Sequence, residues 1–235
     1  MNFKKVKLKQ NQRLFFVSDI HGEIDFLLES LDFLGFVIGK DLCICAGDLV
    51  DRGSESLKTL LFFLKDTTGS FISTIGNHDK FLIDQDYENQ IYNGGHWILD
   101  LQHDDRTLLG DMIESSMFYA LEIQTESVSI GVVHAEIPEE FETWDYFVSN
   151  LNNHRLKQES VWNRNFVEYS HSPFYNNKNV QGIDYVIHGH TPVKEPLWVA
   201  NRLHIDTGLV YGKHLTIAEF ANNKFKFNSF KLDSH

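Results

Sequence analysis

The chain is poor in the residues that staple or stiffen a fold. Of 235 residues only 2 are cysteine and 4 are proline, which excludes a disulfide-dense scaffold and any proline-rich fibrous or linker architecture. Long apolar runs are also missing, since no stretch approaches the roughly eighteen consecutive apolar residues of a membrane span. Residues 1–10 alternate Lys with Phe3, Val6 and Leu8 and do not form the apolar block of a signal peptide. Positive charge is scarce as well. Twenty-one Lys and Arg against 33 Asp and Glu leave a net charge of -12, the wrong sign for a protein that grips nucleic acid along a broad electrostatic footprint. The expectation is a soluble, cytoplasmic protein with neither a nucleic-acid nor a membrane partner.

What is present is enough for a core. With 42% hydrophobic and 13% aromatic residues, a chain of this length buries a full interior without metal or disulfide support, and a single domain over residues 1–235 is expected. Cys43 and Cys45 stand two apart in an apolar run, so an extended strand points both to one face. A lone C-x-C lacks partners for a metal or redox role, and packing is the expected one.

Apolar runs alternate with helical periodicity in the first half, the pattern of strand and helix units with parallel pairing, hence an α/β fold. Leu14-Phe15-Phe16-Val17 reads as a strand. Ile24, Leu27, Leu28, Leu31 and Leu34 follow with helical spacing up to Gly35. A second strand at 42–46 leads to a helix marked by Leu57, Leu60, Leu61 and Leu64, with Ser54 as its candidate cap. A third strand is expected at 71–75 and looser helical structure through 81–127, broken at Asn93-Gly94-Gly95. Strands follow at 128–133, 185–187 and 202–205. Residues 139–182 read as loops that shape a substrate entrance, and the tail as a hairpin turning at Asn222-Asn223.

The polar clusters sit at strand ends. Asp19-x-His21, Asp48, Asn77, His134 and His190 are oxygen and imidazole donors, most of them just past an apolar strand, and open α/β sheets place ligands there. Singly, each has an ordinary reading: Asp-x-His as a helix cap, Gly47-Asp48 and Gly76-Asn77-His78-Asp79 as turns. Jointly and in order they describe a metal site. Hard-to-borderline O/N donors without thiolate suit Mn²⁺, Fe or Zn²⁺, and six donors exceed what one tetrahedral ion takes, so two divalent ions are expected, Mn²⁺ first among them.

These residues resemble the metallophosphoesterases, and within them the phosphoprotein phosphatases that include the serine/threonine phosphatases. The resemblance is carried by Ser18-Asp19-Ile20-His21-Gly22, Gly47-Asp48-Leu49-Val50-Asp51-Arg52-Gly53, Gly76-Asn77-His78-Asp79, His134 and Gly189-His190. Asn93-Gly94-Gly95-x-Trp97, Val161-Trp162-Asn163-Arg164, His190-Thr191-Pro192 and Ile205-Asp206-Thr207-Gly208 resemble the branch that holds the bacteriophage lambda phosphatase and its bacterial relatives. The likeness runs from about Phe15 to Ile217. It implies a calcineurin-like fold, two mixed β-sheets packed as a sandwich flanked by helices, with the metals at the carboxyl ends of the strands. It also implies that Asp19 and His21 hold the first metal, that Asp48 bridges both, and that Asn77, His134 and His190 complete the second. His188 is not expected to be a ligand. Two departures stand out: Ser18 in place of the usual glycine, which bears on turn geometry, and Asp79 where protein phosphatases carry Glu and diadenosine tetraphosphatases often carry Asp.

Two divalent ions about 3.5 to 4 Å apart can share a water, lower its pKa and clamp a phosphoryl oxygen for in-line attack. His78, beside a ligand but free itself, is the candidate general acid, with Asp51 orienting it. Arg52 and Arg164 offer planar forks for the non-bridging oxygens. Two cations and two arginines make such a pocket locally positive, and remote carboxylates are screened beyond about 8 Å. The expected activity is hydrolysis of phosphomonoesters on proteins, at serine or threonine with tyrosine as a possible addition, or on small phosphoesters. The alternatives are a dinucleoside tetraphosphatase and a non-catalytic metal-binding regulatory module. Trp97, Trp144, Trp162 and Trp198 are expected to serve core or lid packing. His96, His103, His154, His171, His204 and His214 are expected to be surface or structural. The acidic stretch 138–145 is expected to be a solvated face.

Overall fold

The computed structural model describes residues 2–141, 143–170 and 178–232. His171 and residue 142 of the acidic stretch lie outside them.

The strands are β1 (Phe3–Lys7), β2 (Leu14–Val17), β3 (Leu42–Cys45), β4 (Phe71–Ser73), β5 (Ala120–Gln124), β6 (Ser129–Val132), β7 (Tyr185–His188), β8 (Leu197–Val199), β9 (Arg202–His204), β10 (Leu215–Ala221) and β11 (Lys224–Phe230). The helices are α1 (Ile24–Phe33), α2 (Ser56–Leu64), α3 (Asn77–Asp84), α4 (Tyr87–Tyr92), α5 (His103–Ser116), α6 (Trp144–Ser149), α7 (His154–Trp162) and α8 (Asn165–Tyr169). Two sheets form, in the orders β1-β5-β6-β7-β9-β8 and β11-β10-β2-β3-β4. Both are mixed: β2, β3 and β4 run parallel, as do β6, β7 and β9, while β10 and β11 are antiparallel.

The period-two rule explains the layering. Leu14 and Phe16 of β2, with Leu42 and Ile44 of β3, join Leu121, Ile123, Ile130, Val132, Ile187 and Leu203 of the other sheet in one core between the sheets. The alternate residues Phe15, Val17, Cys43 and Cys45 face outward and are covered by Ile24, Leu27, Leu31, Leu60 and Phe63. Both cysteines are free and buried on the same face, as the strand register requires. α1 keeps its expected bounds, stopping where Gly35 takes φ +68° and Phe36 N–H bonds back to Leu31 O at 2.9 Å. At the hairpin tip Asn222 and Asn223 have φ of 52° and 58°, the paired left-handed residues of a tight β-turn.

Several local expectations are corrected. Ser54 does not cap α2. The helix begins at Ser56, whose Oγ accepts the Asp51 N–H at 2.9 Å, so the stripe Ser56, Thr59, Leu60 and Phe63 is buried and the leucine stripe is turned partly outward. Residues 139–182 are not loop throughout, because α6, α7 and α8 form there around buried Trp144, Phe147, Leu156 and Phe166. β1, β5 and β8 carried too weak an apolar signal to stand out. β1 has a mixed sequence and is held by parallel pairing to β5, Phe3 opposite Ala120 through Lys7 opposite Gln124. Among the described residues no helix is long and apolar enough to cross a membrane.

Candidate metal centre

The parallel order of β2, β3 and β4 in one sheet and β6 and β7 in the other brings their carboxyl ends to one edge of the sandwich. The loops leaving those ends are strained. Ten described residues other than glycine have positive φ, and five of them are His21 (47°), Asp48 (54°), Asp51 (72°), Arg52 (71°) and His190 (66°). Left-handed backbone at non-glycine residues costs energy and persists only where the surroundings impose it, as at functional sites.

The imidazoles are fixed from behind. His21 Nδ1 donates to Val50 O at 2.8 Å and His134 Nδ1 to Ala46 O at 2.6 Å, which leaves the Nε2 atom of each to face the centre. His190 is held the other way round, its Nε2 bonded to Trp162 O at 3.1 Å, so Nδ1 is the free nitrogen. Asp48 lies between them, Oδ1 at 3.4 Å from His134 Nε2 and Oδ2 at 3.8 Å from His21 Nε2. Asn77 Oδ1 is 3.1 Å from His134 Nε2. The Asp19 carboxylate accepts the His190 N–H at 3.0 Å and the Ser18 hydroxyl. Ser18 thus adds a donor to Asp19.

Two buried groups offer donor atoms mutually within 4.8 Å: His21, Asp48 and His78, and Asp48, His134 and His190. Asp48 belongs to both. Burial pushes His21 down to about 4 and holds His190 well below its ordinary range, so both are neutral lone-pair donors at pH 7. Burial opposes charge on His134 too, but the Asp48 carboxylate lifts it to about 9. A proton held between carboxylate and imidazole is what a divalent cation would replace, so the donor set fits a pair of such ions.

His78 belongs to the first of these groups and is fixed differently from the other imidazoles. Its Nδ1 donates to Asp51 Oδ2 at 2.8 Å, and Asp51 Oδ1 is held by Trp97 Nε1–H at 2.7 Å and Gln90 Nε2–H at 3.1 Å. Trp97 therefore does more than pack. Arg52 Nη1–H donates to His21 Nε2 at 2.6 Å and the guanidinium lies 5.2 Å from the Tyr211 ring centre. A cation at His21 would take that lone pair and displace this bond from Arg52. Arg164 is exposed, its guanidinium makes no hydrogen bond or ion pair among the described residues, and it is close enough to His190 to oppose its protonation. His188 is outside both donor groups. Its Nδ1 bonds Val133 O at 3.0 Å and its ring stacks on that of buried His204.

Asp79 was the departure that bore on substrate, and its geometry gives it another task. Its carboxylate is buried and accepts three backbone N–H groups, from Asp48 (2.9 Å), Leu49 (3.0 Å) and Gly76 (2.9 Å). It pins the Asp48 loop to the start of α3. Burial, reinforced by the Asp48 charge, pushes it up to about 7 despite those bonds. Sequence reasoning also gave no role to Asp206, a buried carboxyl that burial and Asp19 hold well above the usual range. The glycines beside Asp48 and Asp19 are spacers. A Cβ on Gly76 would overlap Asp48 Oδ1, and one on Gly189 would overlap Ser18 Oγ and Asp19 Oδ1.

The pattern of the calcineurin-like phosphoesterase family matches residues 12–194. Serine/threonine-protein phosphatase 2 of Salmonella typhimurium is 31% identical over 204 residues, covering 84% of this chain and 88% of that one. Serine/threonine-protein phosphatase 1 of the same organism is 26% identical, covering 92% and 95%. The asymmetrical bis(5'-nucleosyl)-tetraphosphatase of Oceanobacillus iheyensis is 24% identical, covering 89% of each. Among solved structures, a protein serine/threonine phosphatase from Saccharomyces cerevisiae superposes with a TM-score of 0.69 at 14% identity, over 100% of this chain and 84% of that one. That likeness speaks for the fold of two mixed sheets flanked by helices. With a family pattern spanning most of its length and a relative above 30% identity aligned nearly end to end, the chain belongs to the calcineurin-like phosphoesterases, enzymes that work with divalent metals.

Proposed function

We propose that the protein is a metal-dependent protein phosphatase acting on phosphoserine and phosphothreonine. The observation that carries this reading is a histidine, His78, backed by a fixed carboxylate and lying within one of the two groups of buried donors that share Asp48. The two Salmonella typhimurium relatives, both serine/threonine phosphatases by name, support the substrate class.

Asp19, His21 and Asp48 would hold one divalent ion, and Asp48, Asn77, His134 and His190 the other, with Mn²⁺ the expected metal. Bound there, the ions supply Lewis-acid charge for the phosphoryl oxygens and lower the pKa of water. The chain's own residues do the rest. Because Asp51 accepts from Nδ1, the transferable proton of His78 sits on Nε2, where it can pass to the departing serine or threonine oxygen. Trp97 and Gln90 keep Asp51 from rotating away. Arg52, freed from His21, and Arg164 would bind the non-bridging oxygens as planar forks.

His78→Asn should lower kcat about 10²–10⁴-fold for alkyl phosphates, whose leaving group needs a proton, and far less for nitrophenyl phosphate. Equal loss on both substrates would remove His78 as the acid.

A second reading, a dinucleoside tetraphosphatase, is favoured by the Oceanobacillus iheyensis relative. Asp79 no longer supports it, since its carboxylate is spent on backbone N–H groups. A panel of phosphoserine and phosphothreonine peptides and diadenosine tetraphosphate, each with Mn²⁺, separates the two: peptide hydrolysis supports the first reading, and nucleotide release with peptides untouched would replace it. A non-catalytic module would require a lesion among the ten site residues, and none is missing.

A further inference from the structure

A cavity of about 230 Å³ between α3, α4 and α7 abuts the donor cluster, with Asn77 in its lining. Its wall is built largely of hydrogen-bond acceptors. Lys80, the cation in it, is buried with its ammonium 2.5 Å from Asp84, so its charge is already neutralised. Both Asp84 oxygens accept from that ammonium, while the side chain is 38% exposed at the mouth. Gln158 Oε1 is buried and accepts no hydrogen bond among the described residues, an unusual state for a buried acceptor unless a ligand fills it. Trp162 closes the rim. It is 41% exposed, packs edge-on against Phe81, and ties the cavity to the centre by accepting the His190 Nε2 bond on its backbone oxygen.

We propose that this cavity is a specificity pocket for a cationic side chain, arginine above all, flanking the phosphorylated residue of a protein substrate. The proposal rests on the protein-phosphatase reading above. An indole face beside carboxylate and amide oxygens is matched by a guanidinium, which stacks on aromatic rings and donates in plane to oxygen acceptors. The same wall repels a second phosphate group, because Asp84 and Asp86 outnumber the one lysine. The pocket opens on Asn77, so its occupant belongs to a residue near the phosphate in sequence.

The test uses Mn²⁺-loaded full chain and phosphothreonine peptides with alanine flanks, in which one arginine is moved through the positions on either side. Arginine at one position should raise kcat/KM about tenfold over alanine, the scale of one charge-assisted contact at a partly exposed site, and glutamate there should lower it. Gln158→Lys should abolish the arginine preference and Gln158→Glu should strengthen it, with metal content measured alongside to report an intact centre. Hydrolysis of every peptide at one rate, or equal responses to the two Gln158 substitutions, would overturn the pocket and leave the phosphatase reading standing. Release of nucleotide from diadenosine tetraphosphate with all peptides untouched would instead overturn that reading, and the pocket with it.

Discussion

Replacing Asp79 by Asn tests whether this carboxylate holds the centre together or reads substrate. In the folded chain one oxygen, Oδ2, accepts the N–H groups of Asp48 and Gly76, and the other, Oδ1, accepts that of Leu49. Asparagine keeps one acceptor oxygen and turns an NH₂ against the remaining donor. One buried N–H then loses its partner and faces a second donor, which costs about 1–3 kcal/mol. Relief of the burial penalty on the charged carboxyl offsets part of this, so the lower half of that range is expected. For a chain of this size about 2–4 °C of melting temperature is lost per kcal/mol, and Asp79→Asn should melt about 2–8 °C below the parent by calorimetry. Asp79→Ala orphans all three donors and should lose about 3–6 kcal/mol. The Asp48 loop would be loosened in both, so Mn²⁺ affinity should fall together with stability while the ratio of peptide to dinucleotide hydrolysis stays fixed. An Asp79→Asn variant with parental melting and metal affinity but altered substrate choice would refute the assignment.

Gly189→Ala forces a methyl onto Ser18 Oγ and Asp19 Oδ1, an overpacking worth about 1–3 kcal/mol that should appear as weakened Mn²⁺ binding in a calorimetric titration. Adding Ser18→Gly should recover only part of it, and full parental affinity in the single variant would contradict the packing. Away from the centre, buried Asp41 accepts from Arg13 Nε at 3.1 Å and Val37 N at 2.8 Å, and these bonds, outweighing burial, hold its carboxyl below the usual range. A depressed carboxyl pKa contributes stability that is present above the unfolded value, near 4, and is lost as pH falls through the folded value. Asp41→Asn should therefore cost about 1–2 kcal/mol at pH 7 in urea titrations, with the gap from the parent closing below about pH 4. A gap that stays constant with pH would show that the charge of Asp41 is irrelevant.

The grouping of His21, Asp48, His134 and His190 was legible because metal chemistry restricts both residue type and position. Asp19, His21, Asp48, Asn77, His134 and His190 each follow a strand whose apolar run is plain, and parallel pairing brings those ends together. The fastenings behind them were not legible. Val50 O and Ala46 O are backbone atoms, and any residue supplies a carbonyl, so no letter in the sequence marks the groups that aim His21 and His134. Trp97 and Gln90 reach Asp51 across 46 and 39 residues, and a contact of that span leaves no local pattern. Asp79 was visible, but its three bonds depend on how two loops approach. The helices of 139–182 were missed for another reason. They are short, of 5 to 9 residues, so each shows barely two turns of periodicity and is stabilised mainly by burying Trp144, Phe147, Leu156 and Phe166 against the sheet.

The central claim is a pair of cations sharing one carboxylate, and counting bound metal tests it most directly. Titration of the metal-free chain with Mn²⁺, followed by elemental analysis, should give two ions per chain. His21→Ala and His190→Ala should each lose one, and Asp48→Asn should lose both. A parent chain that binds a single ion, or an Asp48→Asn variant that retains two, would contradict the account.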